Sequence, residues 1–132
     1  MVKASKVKQI SFSMPNNVGL LMEVTEALAK AKINIEALCA YAWEELEAYF
    51  MIVTDDNAKA KKVISKMGAK VEMEDVVALE VPNKVGQLHE AAKKIATSGI
   101  DIYYLYGSPA KGKMTLIFKT ENDKRALKAL AK

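Results

Sequence analysis

The chain repeats itself at nearly constant spacing, and this repeat limits its possible folds more than any other feature. The segment MPNNVGLL at residues 14–21 recurs 67 residues later as VPNKVGQL. The triplet INI at residues 33–35 recurs at the same offset as IDI. After the loss of one residue, TDDN at residues 54–57 recurs 66 residues later as TEND. Three similar blocks in the same order indicate a tandem duplication.

Because of the duplication, the chain length has to be divided between two units. A single domain of 132 residues would bury an ample core, whereas each half is near the lower size at which a chain folds alone. The predicted domains are residues 1–75 and 76–132. Each half is expected to depend on the other and on a second copy of the chain, as a homodimer or a larger homo-oligomer.

Hydrophobic periodicity predicts the elements of the first copy. Apolar residues alternate along the first strand, and they follow a helical spacing after Pro15. Asn16 and Asn17 occupy N-cap positions, residues 55–57 are capping candidates for a second helix, and Gly68 is its expected stop. The predicted elements are strand 7–14, helix 18–31, strand 33–42, a link at 43–46, strand 49–54, helix 57–67 and strand 70–75.

The second copy shows the same pattern without its last strand. Its predicted elements are strand 76–82, helix 85–98, strand 100–107, a hairpin around 109–112, strand 113–120 and helix 123–131. The fold class is therefore α+β, with two βαββαβ units of the ferredoxin-like type in tandem. The missing last strand leaves a neighbouring strand without a partner. Residues 2–7 could fold back and take its place, a strand from a partner chain could do so, or the edge could stay uncovered.

Composition excludes several classes of protein. The sequence has no run of the roughly 18–20 apolar residues that a membrane span needs, and residues 1–9 lack the apolar core of a signal peptide. The single cysteine, Cys39, suggests a reducing compartment, so a cytoplasmic location without membrane attachment is expected. The net charge of +4 comes from scattered lysines with one arginine, which argues against a nucleic-acid partner.

Catalytic and metal-binding patterns are missing from the sequence. His89 has no second histidine, cysteine or aspartate at a spacing typical of a metal site. Phosphate-binding loops, nucleophile elbows and zinc-protease motifs do not occur. The acidic pairs at 44–45 and 55–56 fall in predicted turns. We therefore expect a protein that is not an enzyme and that needs no cofactor or metal.

The repeated blocks resemble the ACT domain, a small-molecule sensor attached to many amino-acid metabolic enzymes. The resemblance covers essentially the whole chain as two copies. It is carried by PNNVGLL and AKINI at residues 15–21 and 31–35, and by PNKVGQL and SGIDI at residues 82–88 and 98–102. The chain is similar to stand-alone tandem ACT proteins, which are thought to bind amino acids.

The resemblance implies a ligand site around the loop before each first helix. Unpaired N–H groups and the positive end of the helix dipole suit a carboxylate there, and glycine at 19 and 86 allows close approach of the backbone. Asn16 and Asn34 match effector-contacting asparagines of the family, although asparagine is also a common capping residue. The implied ligand-binding residues are Asn16, Asn17, Val18, Gly19, Leu20, Asn34, Ile35, Asn83, Val85, Gly86, Gln87 and Asp101.

The two copies differ at the implied site. Asp101 replaces the second asparagine, and its carboxylate would either pair with a ligand ammonium or repel a ligand carboxylate. The first copy is therefore the better candidate. Serine-sensing relatives place a histidine two residues before the loop asparagine, where this chain has Met14 and Val81. A small or apolar amino acid thus fits the site at least as well as serine.

The sequence thus favours a non-catalytic regulator that binds a free amino acid at interfaces between ACT units, within a chain or across a dimer. It would modulate a separate amino-acid metabolic enzyme. RNA binding is an alternative, because RNA recognition motifs share the βαββαβ order. However, Lys113 and Thr115 stand where such a motif needs aromatic rings. An enzyme of unknown type is the remaining alternative.

Overall fold

The secondary structure follows the order that the repeat predicts. The computed structural model describes residues 2–43 and 46–131, so residues 44 and 45 of the predicted link lie outside the described residues. The elements are β1 (Lys3–Pro15), α1 (Leu20–Lys30), β2 (Ile35–Trp43), β3 (Glu47–Thr54), α2 (Asn57–Ser65), β4 (Glu72–Pro82), α3 (Gln87–Thr97), β5 (Ile102–Ala110), β6 (Lys113–Thr120) and α4 (Asp123–Leu130).

One compact unit consists of Lys8–Glu74 and is called the first unit. Its strands neighbour one another in the order β2-β3-β1-β4. β3 runs antiparallel to both β1 and β2. Residues directly opposite one another share a face of the sheet. The face that carries the paired residues Phe12 and Phe50 holds the apolar side chains that pack under α1 and α2. The buried core consists of Ile10, Phe12, Leu20, Val24, Leu28, Ile33, Ala48, Phe50, Ile52, Ala60, Ile64 and Val71.

The other compact unit, called the second unit, consists of Met1–Val7 together with Asp75–Lys132. Its strands neighbour one another in the order β5-β6-β4-β1. Its buried core consists of Val77, Leu79, Val81, Ala91, Ile95, Ile100, Leu116, Phe118, Ala126 and Leu130, and Ala4 packs against it. The division into domains 1–75 and 76–132 stays a prediction.

The N-terminal segment fills the sheet position that the second copy leaves open. β1 begins at Lys3, four residues before the predicted strand, and its first part lies beside β4 in the second unit. Of the three solutions considered from the sequence, the structure therefore shows residues 2–7, as a direct extension of β1. The two predicted strands 70–75 and 76–82 are likewise one strand, β4.

Helix starts and one hairpin differ from the sequence-based prediction. Asn16 and Asn17 were expected to cap α1, but its N-cap is Gly19 and no side chain caps it. β5 continues through Pro109 and Ala110 rather than ending at residue 107. The turn is confined to Lys111 and Gly112, whose φ angles of 49° and 78° are the left-handed values of a two-residue hairpin turn.

The third repeated block, TDDN and TEND, builds the same helix start in both units. Asp56, one of the predicted caps, accepts a hydrogen bond from the Lys59 N–H at 3.1 Å. Asn57 Oδ1 accepts from the N–H and hydroxyl of Thr54 at 3.0 and 2.7 Å. Asp123 accepts the equivalent pair from Thr120 at 2.9 and 2.7 Å. This block therefore positions α2 and α4.

Two findings concern membranes and metals. In the described ranges, no helix is both long and apolar enough to cross a membrane. No group of three or more His, Cys, Asp or Glu residues within the same ranges is arranged to hold a metal ion.

Candidate functional site

A cavity of about 290 Å³ opens in the first unit beside the start of α1. It lies on the helix-covered face of the sheet, at the end where β2 and β3 meet. Its lining consists of Asn16, Asn17, Gly19, Leu20, Leu21, Met22, Ala40, Tyr41, Ala42, Ala48 and Phe50. The cavity therefore combines the loop predicted from the sequence with strand residues that the sequence did not indicate.

Small side chains on the two strands create this space. Ala42 lies opposite Ala48, and Ala40 lies opposite Phe50, so all four residues share one face of the sheet. Three of these side chains are single methyl groups, which leave room above the strands. The Phe50 ring is held by stacking on Phe12, with ring centroids 4.8 Å apart. The floor of the cavity is thus apolar, and its Phe50 ring is packed from the side by Phe12.

The loop before α1 forms the polar side of the cavity. The Asn16 N–H donates to the Leu46 carbonyl at 3.1 Å, and the Asn17 carbonyl accepts from the Leu20 N–H at 3.2 Å. The side-chain amide of Asn16 makes no hydrogen bond with other described residues, so it can both donate to and accept from a ligand.

The first turn of α1 adds hydrogen-bond donors to this polar side. Glu23 donates the first i→i−4 bond of the helix, to Gly19. The N–H groups of Leu21 and Met22 precede that bond and have no backbone acceptor among the described residues. Together with the positive end of the helix dipole, they favour a carboxylate at this side of the cavity.

Gly19 and Gly86 are needed for their backbone angles rather than for space. Their φ values are 91° and 88°, in the left-handed region. A Cβ at Gly19 would meet only the Met22 Cε, at 4.0 Å, and one at Gly86 would meet nothing within 4 Å. Within the described residues, space for a neighbouring protein atom therefore does not explain either glycine, and close approach of a ligand to them stays a prediction.

Replacing either glycine by alanine is expected to destabilise the protein. A non-glycine residue in the left-handed region costs roughly 1–2 kcal/mol, so Gly19→Ala and Gly86→Ala should each lower the free energy of unfolding by about that amount. Asparagine tolerates this region better, so Gly86→Asn should cost less than Gly86→Ala. Urea denaturation measures the differences, and equal stability of the alanine variants and the unaltered protein would contradict this explanation.

Comparison with known proteins identifies the family. A family model described as an ACT domain pair matches residues 5–131. The chain belongs to the ACT domain pair family. This confirms both the resemblance and the fold class derived from the sequence.

Solved structures with the same fold include proteins named as regulatory subunits. A protein from Bacteroides thetaiotaomicron is 30% identical, with 97% of this ACT pair and 88% of that chain covered and a TM-score of 0.88. The ligand-free regulatory subunit of aspartate kinase from Thermus thermophilus is 16% identical, with 98% and 94% covered and a TM-score of 0.73. The Thermus flavus regulatory subunit is 17% identical, with 98% and 94% covered and a TM-score of 0.67. No curated protein matches the sequence.

The first unit of the ACT pair brings together part of the predicted site. Asn16, Asn17, Gly19 and Leu20 all line the cavity. Val18 lies in the same loop, but its side chain is fully exposed and does not line the cavity. The polar loop predicted from the sequence is thus the loop beside the cavity.

Asn34 and Ile35 lie at the other end of the same sheet. Ile35 is opposite Thr54, whereas the cavity residue Ala42 lies seven residues further along β2, about 23 Å away at ~3.3 Å per residue. The Asn34 N–H donates to Asp55 Oδ1 at 3.0 Å, and its carbonyl accepts from the Asp55 N–H at 3.1 Å. One unit does not bring Asn16 and Asn34 together, and ligand contact by Asn34 and Ile35 stays a prediction.

The predicted residues of the second unit have a similar arrangement. The Asn83 N–H donates to the Gly112 carbonyl at 2.8 Å, as Asn16 does to Leu46. The Asp101 N–H donates to Glu121 Oε1 at 3.0 Å, at the opposite end of the sheet. Val85 and Gly86 are exposed, and Gln87 is half-buried. A ligand role for these five residues stays a prediction.

Sequence reasoning missed the strand residues of the cavity. Ala40 and Ala42 alternate along β2, and Ala48 completes the patch from β3. A run of alternating alanines was the available signal, but alanine occurs widely and indicates nothing by itself. The cavity also includes Leu21, Met22, Tyr41 and Phe50, which sequence reasoning had not selected as site residues.

Proposed function

We propose that this protein is a non-catalytic regulator that binds a free amino acid in the cavity of the first unit. The observation that carries this proposal is the cavity itself, which has hydrogen-bonding groups on one side and an apolar floor on the other. Its volume of about 290 Å³ lies near the lower end of small-ligand sites, roughly 300–1,000 Å³. A single amino acid suits a site of that size.

Each part of an amino acid has a suitable partner in this cavity. The carboxylate fits the N–H groups of Leu21 and Met22 at the start of α1. The Asn16 side chain offers a carbonyl oxygen to the ligand ammonium and an amide N–H to the carboxylate. The side chain of the ligand then lies against the alanines and Phe50.

The proposed target is a separate enzyme of amino-acid metabolism. This part rests on family membership and on the Thermus structures, which are named as regulatory subunits of aspartate kinase. Binding would act on the enzyme through a change in the ACT pair that depends on the ligand. We also propose that the chain forms a homodimer or a larger homo-oligomer.

Ligand binding can be tested by calorimetry and thermal shift with the twenty amino acids at millimolar concentration. At least one amino acid is expected to bind and raise the melting temperature, because a ligand that binds only the folded state stabilises it. Asn16→Ala should weaken that binding about tenfold, the effect of losing roughly 1.4 kcal/mol of hydrogen bonding.

Val18→Ala is the matched control, since this exposed side chain lies in the same loop outside the cavity. It should leave the affinity unchanged. If none of the twenty amino acids binds the unaltered protein, the proposed function is wrong.

A further inference from the structure

We infer that each chain binds one ligand, in the first unit only, and that this ligand is an amino acid with an apolar side chain. The inference rests on the proposed function and specifies it. It comes from comparing the cavity with the equivalent place in the second unit, where different side chains occupy the same positions of the sheet.

The strand register identifies the equivalent positions. Ala48 lies opposite Met14 and Ala42 in the first unit. In the second unit, Met114 lies opposite Val81 and Pro109. The offsets of 67 and 66 residues found in the sequence relate these two sets. Met114 therefore stands on the same face and at the same end of its sheet as Ala48.

Met114 occupies the space that Ala48 leaves open. Ala48 presents one methyl group to the cavity, whereas Met114 is half-buried and packs against the core of the second unit. A methionine side chain is long and flexible, and it readily fills gaps of this kind. The methionine therefore fills the space in the second unit that corresponds to the cavity of the first unit.

Leu116 closes the neighbouring position. It is the equivalent of Phe50 and lies opposite Gly107, the equivalent of Ala40. A Cβ built on Gly107 would come within 2.7 Å of Leu116 Cδ2 and 2.5 Å of the Thr115 carbonyl oxygen. The Leu116 side chain thus covers β5 at Gly107. In the first unit, the space above the equivalent Ala40 is part of the cavity.

Two cavities lined by described residues of the second unit differ from the cavity of the first unit. Gln87, the equivalent of Leu20, lines a cavity of about 20 Å³, which holds about one water molecule. A wider groove of about 650 Å³ is lined partly by Glu80 and Lys113. No residue of the first turn of α3 belongs to its lining. Glu80 alternates with the core residues Leu79 and Val81 along β4, so its side chain belongs to the opposite face of the sheet.

The floor of the first cavity determines the side-chain class of the ligand. Ala40, Ala42, Ala48 and Phe50 offer no hydrogen-bonding side-chain atoms. A polar ligand side chain against this floor would lose part of its hydrogen bonding to water without replacement by these four side chains. An apolar side chain gains affinity instead, at about fourfold for each buried methylene group.

The experiment compares leucine with asparagine, which is similar in size, by titration calorimetry of the full chain. The unaltered protein is expected to bind one leucine per chain, at least about tenfold more tightly than asparagine. Ala48→Met should abolish measurable binding, because its side chain fills the cavity as Met114 fills the second unit. Met114→Ala, the matched control, should leave the leucine affinity of the first unit within about twofold of the original.

Ala48 is buried, so Ala48→Met is also checked for folding by circular dichroism. Ala42→Leu is the second variant, because Ala42 is exposed and its larger side chain enters the cavity without entering the core. It should also abolish leucine binding.

Three results would overturn the inference while leaving the proposed function in place. These are two equal strong sites per chain, tighter binding of asparagine than of leucine, or full binding by a folded Ala42→Leu or Ala48→Met variant. If the unaltered protein binds no amino acid at all, the proposed function itself fails.

Discussion

Removing residues 2–7 is expected to destabilise the second unit strongly. Residues 3–7 of this segment form the first part of β1, which neighbours β4 in that unit, and Ala4 packs against the core of the unit. Without it, the backbone of β4 from Asp75 onward loses a neighbouring strand, and the edge that remains is open to solvent or to another chain. A second unit of so few residues has little buried surface with which to offset that loss.

Amide hydrogen exchange gives the clearest measurement of this effect. Exchange in residues 75–82 should be markedly faster in the shortened protein, and its melting temperature should be lower. Deleting Val2 alone is the control, because Val2 is exposed and lies before β1 begins. Unchanged exchange in residues 75–82 after removal of the whole segment would show that β1 does not support the second unit.

The sequence predicted the order of the elements because that order depends on local patterns. Each of these patterns spans only neighbouring residues of the chain. They are the apolar alternation of the strands, the helical spacing after Pro15 and the capping block at residues 54–57. The role of residues 3–7 depends instead on pairing with a strand about seventy residues away. Ala4 and Val7 are half-buried in this segment, whereas Lys3, Ser5 and Lys6 are exposed, which makes the alternation faint.

The candidate site was predicted only where its residues are consecutive. The loop at residues 15–19 was found because glycine and asparagine are typical of a helix start beside a ligand. The floor was not found, because Ala42 and Ala48 meet only through the register of β2 and β3. The same register explains why Asn34 lies far from Asn16, since β2 carries the chain along the full length of the sheet.

The two units share the backbone features of the loop before the first helix, whatever their proposed difference in ligand binding. Both units keep the left-handed glycine before the first helix, with φ values of 91° and 88°. Both also keep the hydrogen bond from the loop asparagine to the hairpin. These shared features are backbone requirements of the fold, so they do not distinguish a binding unit from a non-binding one. The proposed difference in ligand binding lies instead in side-chain volume, at positions such as Ala48 and Met114.

Phe118→Ala is expected to have the second large effect on stability. Phe118 is fully buried, and it lies in β6 between Val77 of β4 and Leu105 of β5. Removing a buried phenylalanine ring usually costs about 3–5 kcal/mol, because apolar contacts are lost and a cavity remains. The total free energy of unfolding of a small domain is about 5–15 kcal/mol, so this variant should lose a large share of its stability. Urea denaturation followed by circular dichroism measures the loss.

Tyr103→Ala is the control for Phe118→Ala, because it removes a ring of similar size from a side chain that is 62% exposed. Its cost should stay within about 0.5 kcal/mol, the usual range for surface substitutions. Phe118→Leu should be intermediate, since leucine refills part of the space. A loss of less than about 1 kcal/mol for Phe118→Ala would mean that the second unit closes around the vacated space.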